Sequence, residues 1–109
     1  MALDPHEAAK KALIAYRQLS EIVKDPLSPR TAVARTESYN RILDTLNECF
    51  SIDESFEESI NHLQHLGRET PRMFYQMESD GKILLATAHS FIELYLSPED
   101  KKMAIGFHT

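Results

Sequence analysis

TPRMFYQMESDGKILLATAHSFIELYL, residues 70–96, is the longest uninterrupted apolar pattern in the chain, and its reading decides the fold. Phe74, Met77, Gly81, Leu84, Ala88, Phe91 and Tyr95 recur at steps of three and four, flanked by Met73, Leu85 and Ile92. On a helix these side chains form one stripe. Thr70 suits an N-cap, and Pro71 suits the first helical turn, where its missing N–H costs nothing. The same stretch carries a second pattern. Asp80-Gly81 is a tight-turn dipeptide, and after it Leu84, Ala86, Ala88, Ser90, Ile92, Leu94 and Leu96 alternate with neighbours such as Thr87, His89 and Glu93. Two observations favour a single helix. Gly81 falls in phase with the stripe, where a missing side chain lets another helix come close, and the capped start leads straight into the apolar pattern. Against them stands a cost of about 1 kcal/mol for glycine relative to alanine inside a helix. We therefore read one helix over 71–96. The alternative is an α+β chain with a C-terminal antiparallel hairpin around Asp80-Gly81.

Working outward, helix starts are marked consistently. Asp4-Pro5-His6-Glu7 offers an N-cap, a proline in the first turn and an acidic third residue. The helix it opens, 5–24, has Ala9, Ala12, Leu13, Tyr16, Leu19 and Val23 on its inward stripe and stops before Pro26. Ser28-Pro29 opens a second helix, 29–50, with Val33, Thr36, Tyr39, Leu43, Leu46 and Phe50 inward. The connector is short, so these two helices should form an antiparallel hairpin. Ser51-Ile52-Asp53-Glu54 reads as a capping box for a third helix, 52–66, with Phe56, Ile60, Leu63 and Leu66 as its stripe and Gly67 as its stop. Ser97-Pro98 starts a last turn or two, 98–104. No repeat of 20–50 residues emerges. The fold expected is a single all-α domain, a four-helix up-and-down bundle with a short C-terminal helical turn.

Composition bounds the function. At 109 residues, 42% apolar and 27% charged, the chain can bury a core of its own. The net charge of −5 argues against generic binding to nucleic acid or to an anionic membrane. The charge is uneven: residues 42–67 hold six Asp/Glu and no Lys/Arg, whereas residues 1–41 hold seven Lys/Arg and five Asp/Glu. No apolar run approaches the ~20 residues of a membrane span, and the first residues lack the order of a signal peptide. The lone Cys49 excludes an internal disulfide and fits a reducing, cytoplasmic setting. Its acidic surroundings argue against a nucleophile.

Few residues could carry chemistry. Glu58, His62 and His65 stand at i, i+4 and i+7 of the third helix, and His89 and Glu93 at i, i+4 of the long one. Carboxylate and imidazole at that spacing can bind a transition metal. However, Glu58 lies about 200° around the helix from Phe56, on the face away from the core. No histidine follows a glutamate by three residues, as the inward Glu-x-x-His ligands of di-iron bundles require. We expect solvated faces in both places, and no cofactor. Arg30, Arg35 and Arg41, with Thr31, Thr36 and Asn40, give the second helix a basic start. The long preceding helix and proline-bearing connector do not fit a helix-turn-helix, so pairing with the acidic 44–58 segment is expected instead. There is no GxGxxG, P-loop, HExxH, GxSxG or CxxC.

Read as strands, HLGRETPRMFYQMESDGKILLATAHSFIEL, from His65 to Leu94, resembles the last strands of hot-dog acyl-CoA thioesterases, with an LGR strand start, a D-G hairpin and a long LLATA strand. The resemblance implies a hot-dog-like thioesterase fragment or variant. That family's catalytic acid and HGG- or N-H-type turn belong to its first half, and residues 1–56 hold nothing like them, so no site residue carries over.

The helical reading points elsewhere. A helix over 71–96 is near 40 Å long at about 1.5 Å per residue, and a third helix of roughly half that length cannot cover it. The end bearing Phe91, Ile92, Tyr95 and Leu96 is then left for a partner. A two-fold homodimer pairing the long helices satisfies it most simply. We therefore expect a small cytoplasmic helical protein acting through protein–protein interaction, with a metal- or ligand-binding bundle as a further alternative.

Overall fold

The computed structural model describes residues 4–24, 32–67 and 72–103. Five helices account for most of them: α1 (Pro5–Lys24), α2 (Ala32–Phe50), α3 (Glu54–Ile60), α4 (Arg72–Tyr95) and α5 (Pro98–Met103). The chain is all-α, and no strand occurs among the described residues. α4 passes through Asp80-Gly81 without interruption, which removes the hairpin alternative and with it the thioesterase resemblance. Its 24 residues, about 36 Å of helix, set the 40 Å long axis of the molecule.

Gly81 shows how the long helix is accommodated. A Cβ built there would lie 2.6 Å from Val23 Cγ2 and 4.0 Å from Leu19 Cδ1, both on α1. The glycine is what lets the two helices approach, so its cost in helix propensity is offset by packing. α1 contributes a face of small residues, Ala8, Ala9, Ala12 and Ala15, all buried. Lys11 reaches Glu48 near the end of α2, Tyr16 meets His89, and Val23 meets Gly81. These pairings make α1 antiparallel to both α2 and α4.

Two starts read from the sequence are present. The Asp4 carboxylate accepts from the His6 and Glu7 amides at 3.2 and 3.4 Å, and Ser97 Oγ accepts from the Asp100 amide at 3.2 Å. The Ser28-Pro29 and Thr70-Pro71 starts lie outside the described residues.

The third helix differs from expectation. It is seven residues long, not the fifteen of 52–66, and Gly67 is not its stop. Asp53 caps it, accepting from the Ser55 amide, and the helical geometry ends at Asn61. Beyond that point the chain is held by α2. The Asn40 side chain accepts from the Leu66 amide at 2.9 Å and donates to the Leu66 carbonyl at 3.1 Å. This pair supplies what a helix would have given the Leu66 backbone, so a tertiary contact overrides local propensity. Leu63 and Leu66 are still packed on the core, but from a non-helical segment that runs back along α2. The path from α2 to α4 is thus part helix and part irregular chain, in the place where the bundle's third helix was expected.

At the end of α4 the core is aromatic. Phe91 stands 4.9 Å from Phe50, 5.2 Å edge-on from Phe56 and 4.9 Å from Tyr95, measured between ring centroids. Offset and edge contacts of this kind add to the apolar area buried. The Tyr95 hydroxyl donates to Asp53 Oδ2, so one carboxylate both caps α3 and ties it to α4.

Candidate functional site

The residues expected at an interface are placed inside the chain. Phe91 and Ile92 are fully buried, Leu96 is nearly so, and Tyr95 packs against the core from the edge. Although α3 is even shorter than expected, it lies across the end of α4, and Phe56 covers Phe91. The bare end inferred from helix lengths is therefore covered by the chain itself.

The possible metal ligands do not converge. Because α3 ends at Ile60, Glu58 stays on the helix while His62 and His65 leave it, and the shared face is lost. His65 Nε2 lies 2.6 Å from Asp44 Oδ1 on α2. His89 Nδ1 and Glu93 Oε1 are 3.8 Å apart on α4, an i, i+4 contact on the helix surface of small energetic weight. Among the described residues, no three His, Cys, Asp or Glu side chains are placed to hold a metal ion. Arg41 donates to Ser38, while Glu48 is met by Lys11 and Asp44 by His65; Arg30, expected to pair with the same acidic segment, lies outside the described residues.

Two features of α4 were not read from the sequence as sites. The first is its outer face. Ser79, Ile83, Ala86, Thr87, Ser90 and Leu94 recur at steps of three and four and carry no charge, whereas Glu78, Lys82, His89 and Glu93 fall together on one flank. Ile83 is 38% exposed and Leu94 62%, two of the three large apolar side chains left open to solvent among the described residues. Thr87 Oγ1 donates to the Ile83 carbonyl at 2.9 Å, which turns its hydroxyl inward along the helix and leaves its methyl outward. The sequence signal was the alternation after Gly81. Read as a strand it suggested a hairpin; on the helix it reflects apolar residues on two faces.

The second is a polar pocket at the start of the same face, about 220 Å³ in volume, lined by His62, Gln64, His65, Leu66, Gln76 and Asp80. Asp80, read from sequence as a turn former, is a carboxylate only 6% exposed on a continuous helix. Its Oδ1 accepts from Gln76 Nε2 at 2.8 Å. On α2, the Tyr39 ring is fully buried, and its hydroxyl has no hydrogen-bond partner among the described residues. Burial, reinforced by the nearby Asp80 charge, raises the Tyr39 pKa far above its ordinary value. An aspartate in phase with an apolar stripe was the available signal, but the turn chemistry of Asp-Gly masked it.

Cys49 is fully buried, and burial, followed by the neighbouring Glu48, pushes its thiol up to about 11. Tyr95 is also raised, first by its hydrogen bond to Asp53. All three groups bind their proton more tightly folded than unfolded. Their contribution to stability is complete below the unfolded values and is lost as pH rises through the folded ones. Stability should thus hold through neutral pH and fall above about pH 9, in the unfolded cysteine and tyrosine range. Denaturant midpoints across that range test this, and native Cys49 should resist a thiol reagent that labels the unfolded chain at once.

No protein-family model matches the chain, and neither a curated protein nor a solved structure matches it. Among the described residues, no helix is long and apolar enough to cross a membrane.

Proposed function

We propose that the protein acts through protein–protein interaction in a reducing, cytoplasmic setting, and that its first partner is a second copy of itself, paired along the outer face of α4. The observation that carries this reading is the charge-free exposed row from Ser79 to Leu94, in a chain of which 27% is charged. Small residues at Ser79, Ala86, Thr87 and Ser90 allow two helices to come close, and Ile83 and Leu94 bracket them with apolar bulk.

A two-fold antiparallel pairing is self-complementary here. Ile83 of one copy meets Leu94 of the other, and Thr87 meets Ser90. The charged flank also matches itself, because this arrangement brings Lys82 of one copy toward Glu93 of the second. The long helices still pair, as expected from the sequence, but on the face turned away from Phe91 and Ile92. A reducing compartment is supported by the single buried thiol.

Light scattering on a size-exclusion column tests the proposal. The wild-type chain should elute as twice its 12.5 kDa mass, with dissociation on dilution. Leu94→Glu should elute as a monomer. Since Leu94 is exposed, that variant should lose no more than about 0.5 kcal/mol of stability. A wild-type species of single mass at high concentration would refute the dimer.

A further inference from the structure

We infer that the pocket at Asp80 is a binding site for a primary ammonium group, with the Asp80 carboxylate as its anchor. The inference rests on three observations that do not depend on the dimer. Asp80 is nearly buried on a helix that has no need of a carboxylate there, and an ionised carboxylate withdrawn from water requires compensation. Among the described residues, its one hydrogen bond comes from the Gln76 amide, a neutral donor that occupies Oδ1. No lysine or arginine among the described side chains is paired with it. Among the described side chains it has no counter-charge, and it faces a cavity of about 220 Å³.

The second observation is Tyr39. Its hydroxyl is wholly buried without a partner, close enough to Asp80 to feel that carboxylate. Buried polar atoms are seldom left unpaired in a finished structure, so an unpartnered hydroxyl within the field of a nearly buried carboxylate marks a polar region whose hydrogen bonding is incomplete. Of the two, Asp80 lines the pocket, and its carboxylate can accept a hydrogen bond from a cationic N–H.

The third observation is the build of the walls. The far wall of the pocket, residues 62–66, is fixed by the two hydrogen bonds between Asn40 and Leu66 and by the contact of His65 with Asp44. The lining offers amide oxygens at Gln64 and Gln76 and apolar cover at Leu66. A water in the liquid occupies about 30 Å³, so the cavity has room for an alkylammonium head and part of its chain. Ammonium suits it better than guanidinium. With Oδ1 engaged by Gln76, the carboxylate has one oxygen without a donor, which a point donor can use fully, whereas a two-pronged planar fork would lose its bidentate grip.

The ammonium group could arrive on a free amine or on a lysine side chain of a docked polypeptide. Heteronuclear NMR titration of the full chain with n-butylamine, N-acetyl-lysine amide, n-butanol and tetramethylammonium separates the possibilities. Saturable shifts of the Asp80, Gln76, Leu66 and Tyr39 amides are expected with n-butylamine and not with n-butanol or tetramethylammonium, which lack a charge or an N–H donor. Matching shifts from N-acetyl-lysine amide would support binding of lysine side chains, and their absence would support a free amine. Asp80→Asn should weaken n-butylamine binding about tenfold or more, as a charge-assisted bond is removed. Absence of saturable shifts, equal response to n-butanol, or undiminished binding by a folded Asp80→Asn chain would overturn the inference.

Discussion

Phe91→Ala is expected to cost about 3–5 kcal/mol of folding stability, the range for truncating a large aromatic in a closed core. The reason is its position. Phe91 is fully buried and touches Phe50 on α2, Phe56 on α3 and Tyr95 one turn along α4, so its ring is where the two long helices and the short one meet. Removing it opens a cavity that Phe56 cannot fill without pulling Asp53 away from Tyr95. Urea unfolding followed by circular dichroism measures the loss, and the midpoint of thermal unfolding should fall by about 4–8 °C for each kcal/mol. The same variant separates two roles for this residue. If Phe91 is core, the protein that remains folded keeps the oligomeric state of the wild type. If it were an interface residue, the variant would dissociate with little change in stability.

Gly81→Val is expected to be the next most damaging change, by about 2–3 kcal/mol, the upper part of the range for overpacking. The first added carbon would already sit 2.6 Å from Val23 Cγ2, and valine branches at that carbon. Gly81→Ala is the more informative relative. Alanine improves helix propensity by about 1 kcal/mol, so a net loss in that variant measures the close approach of α1 directly. The obstacle is a single methyl, so Val23→Ala should relieve it. The double variant Gly81→Ala, Val23→Ala should be more stable than the sum of the single losses, with a coupling of about 1–2 kcal/mol. Without coupling, the glycine would have no packing role, and the tolerance of Gly81 in mid-helix would lack its explanation.

These two positions also show how far the fold was legible in the sequence. Helix α4 could be read because Gly81 kept the phase of Met77 and Leu84, a pattern a hairpin has no reason to preserve. The start of α1 was written locally, in Asp4-Pro5 and Glu7, and local signals survive folding. The end of α3 was not local. Phe56, Ile60, Leu63 and Leu66 kept helical spacing, yet the helix stops at Ile60, and beyond it the chain is held by the Asn40 side chain, 26 residues from Leu66. Periodicity cannot carry that information, because it records which residues are buried and not by what geometry. The same gap applies to the cover over the end of α4. Helix lengths suggested that Phe91, Ile92 and Leu96 would be bare, but cover depends on the angle at which α3 crosses, which no spacing in residues 51–67 specifies. Asp80 was misread for a different reason. Asp-Gly has a strong turn preference of its own, and only the helix built around it turns the aspartate into a buried carboxylate beside Tyr39.

Everything proposed for the outer face of α4 and for the Asp80 pocket requires one helix running through residues 80 and 81. Backbone assignment by NMR is the most direct test. The account predicts helical Cα shifts without a break from Arg72 to Tyr95, and a nuclear Overhauser contact between the Gly81 α-protons and a Val23 methyl. Extended shifts on both sides of Asp80-Gly81, with cross-strand contacts between residues 73–79 and 82–88, would contradict it.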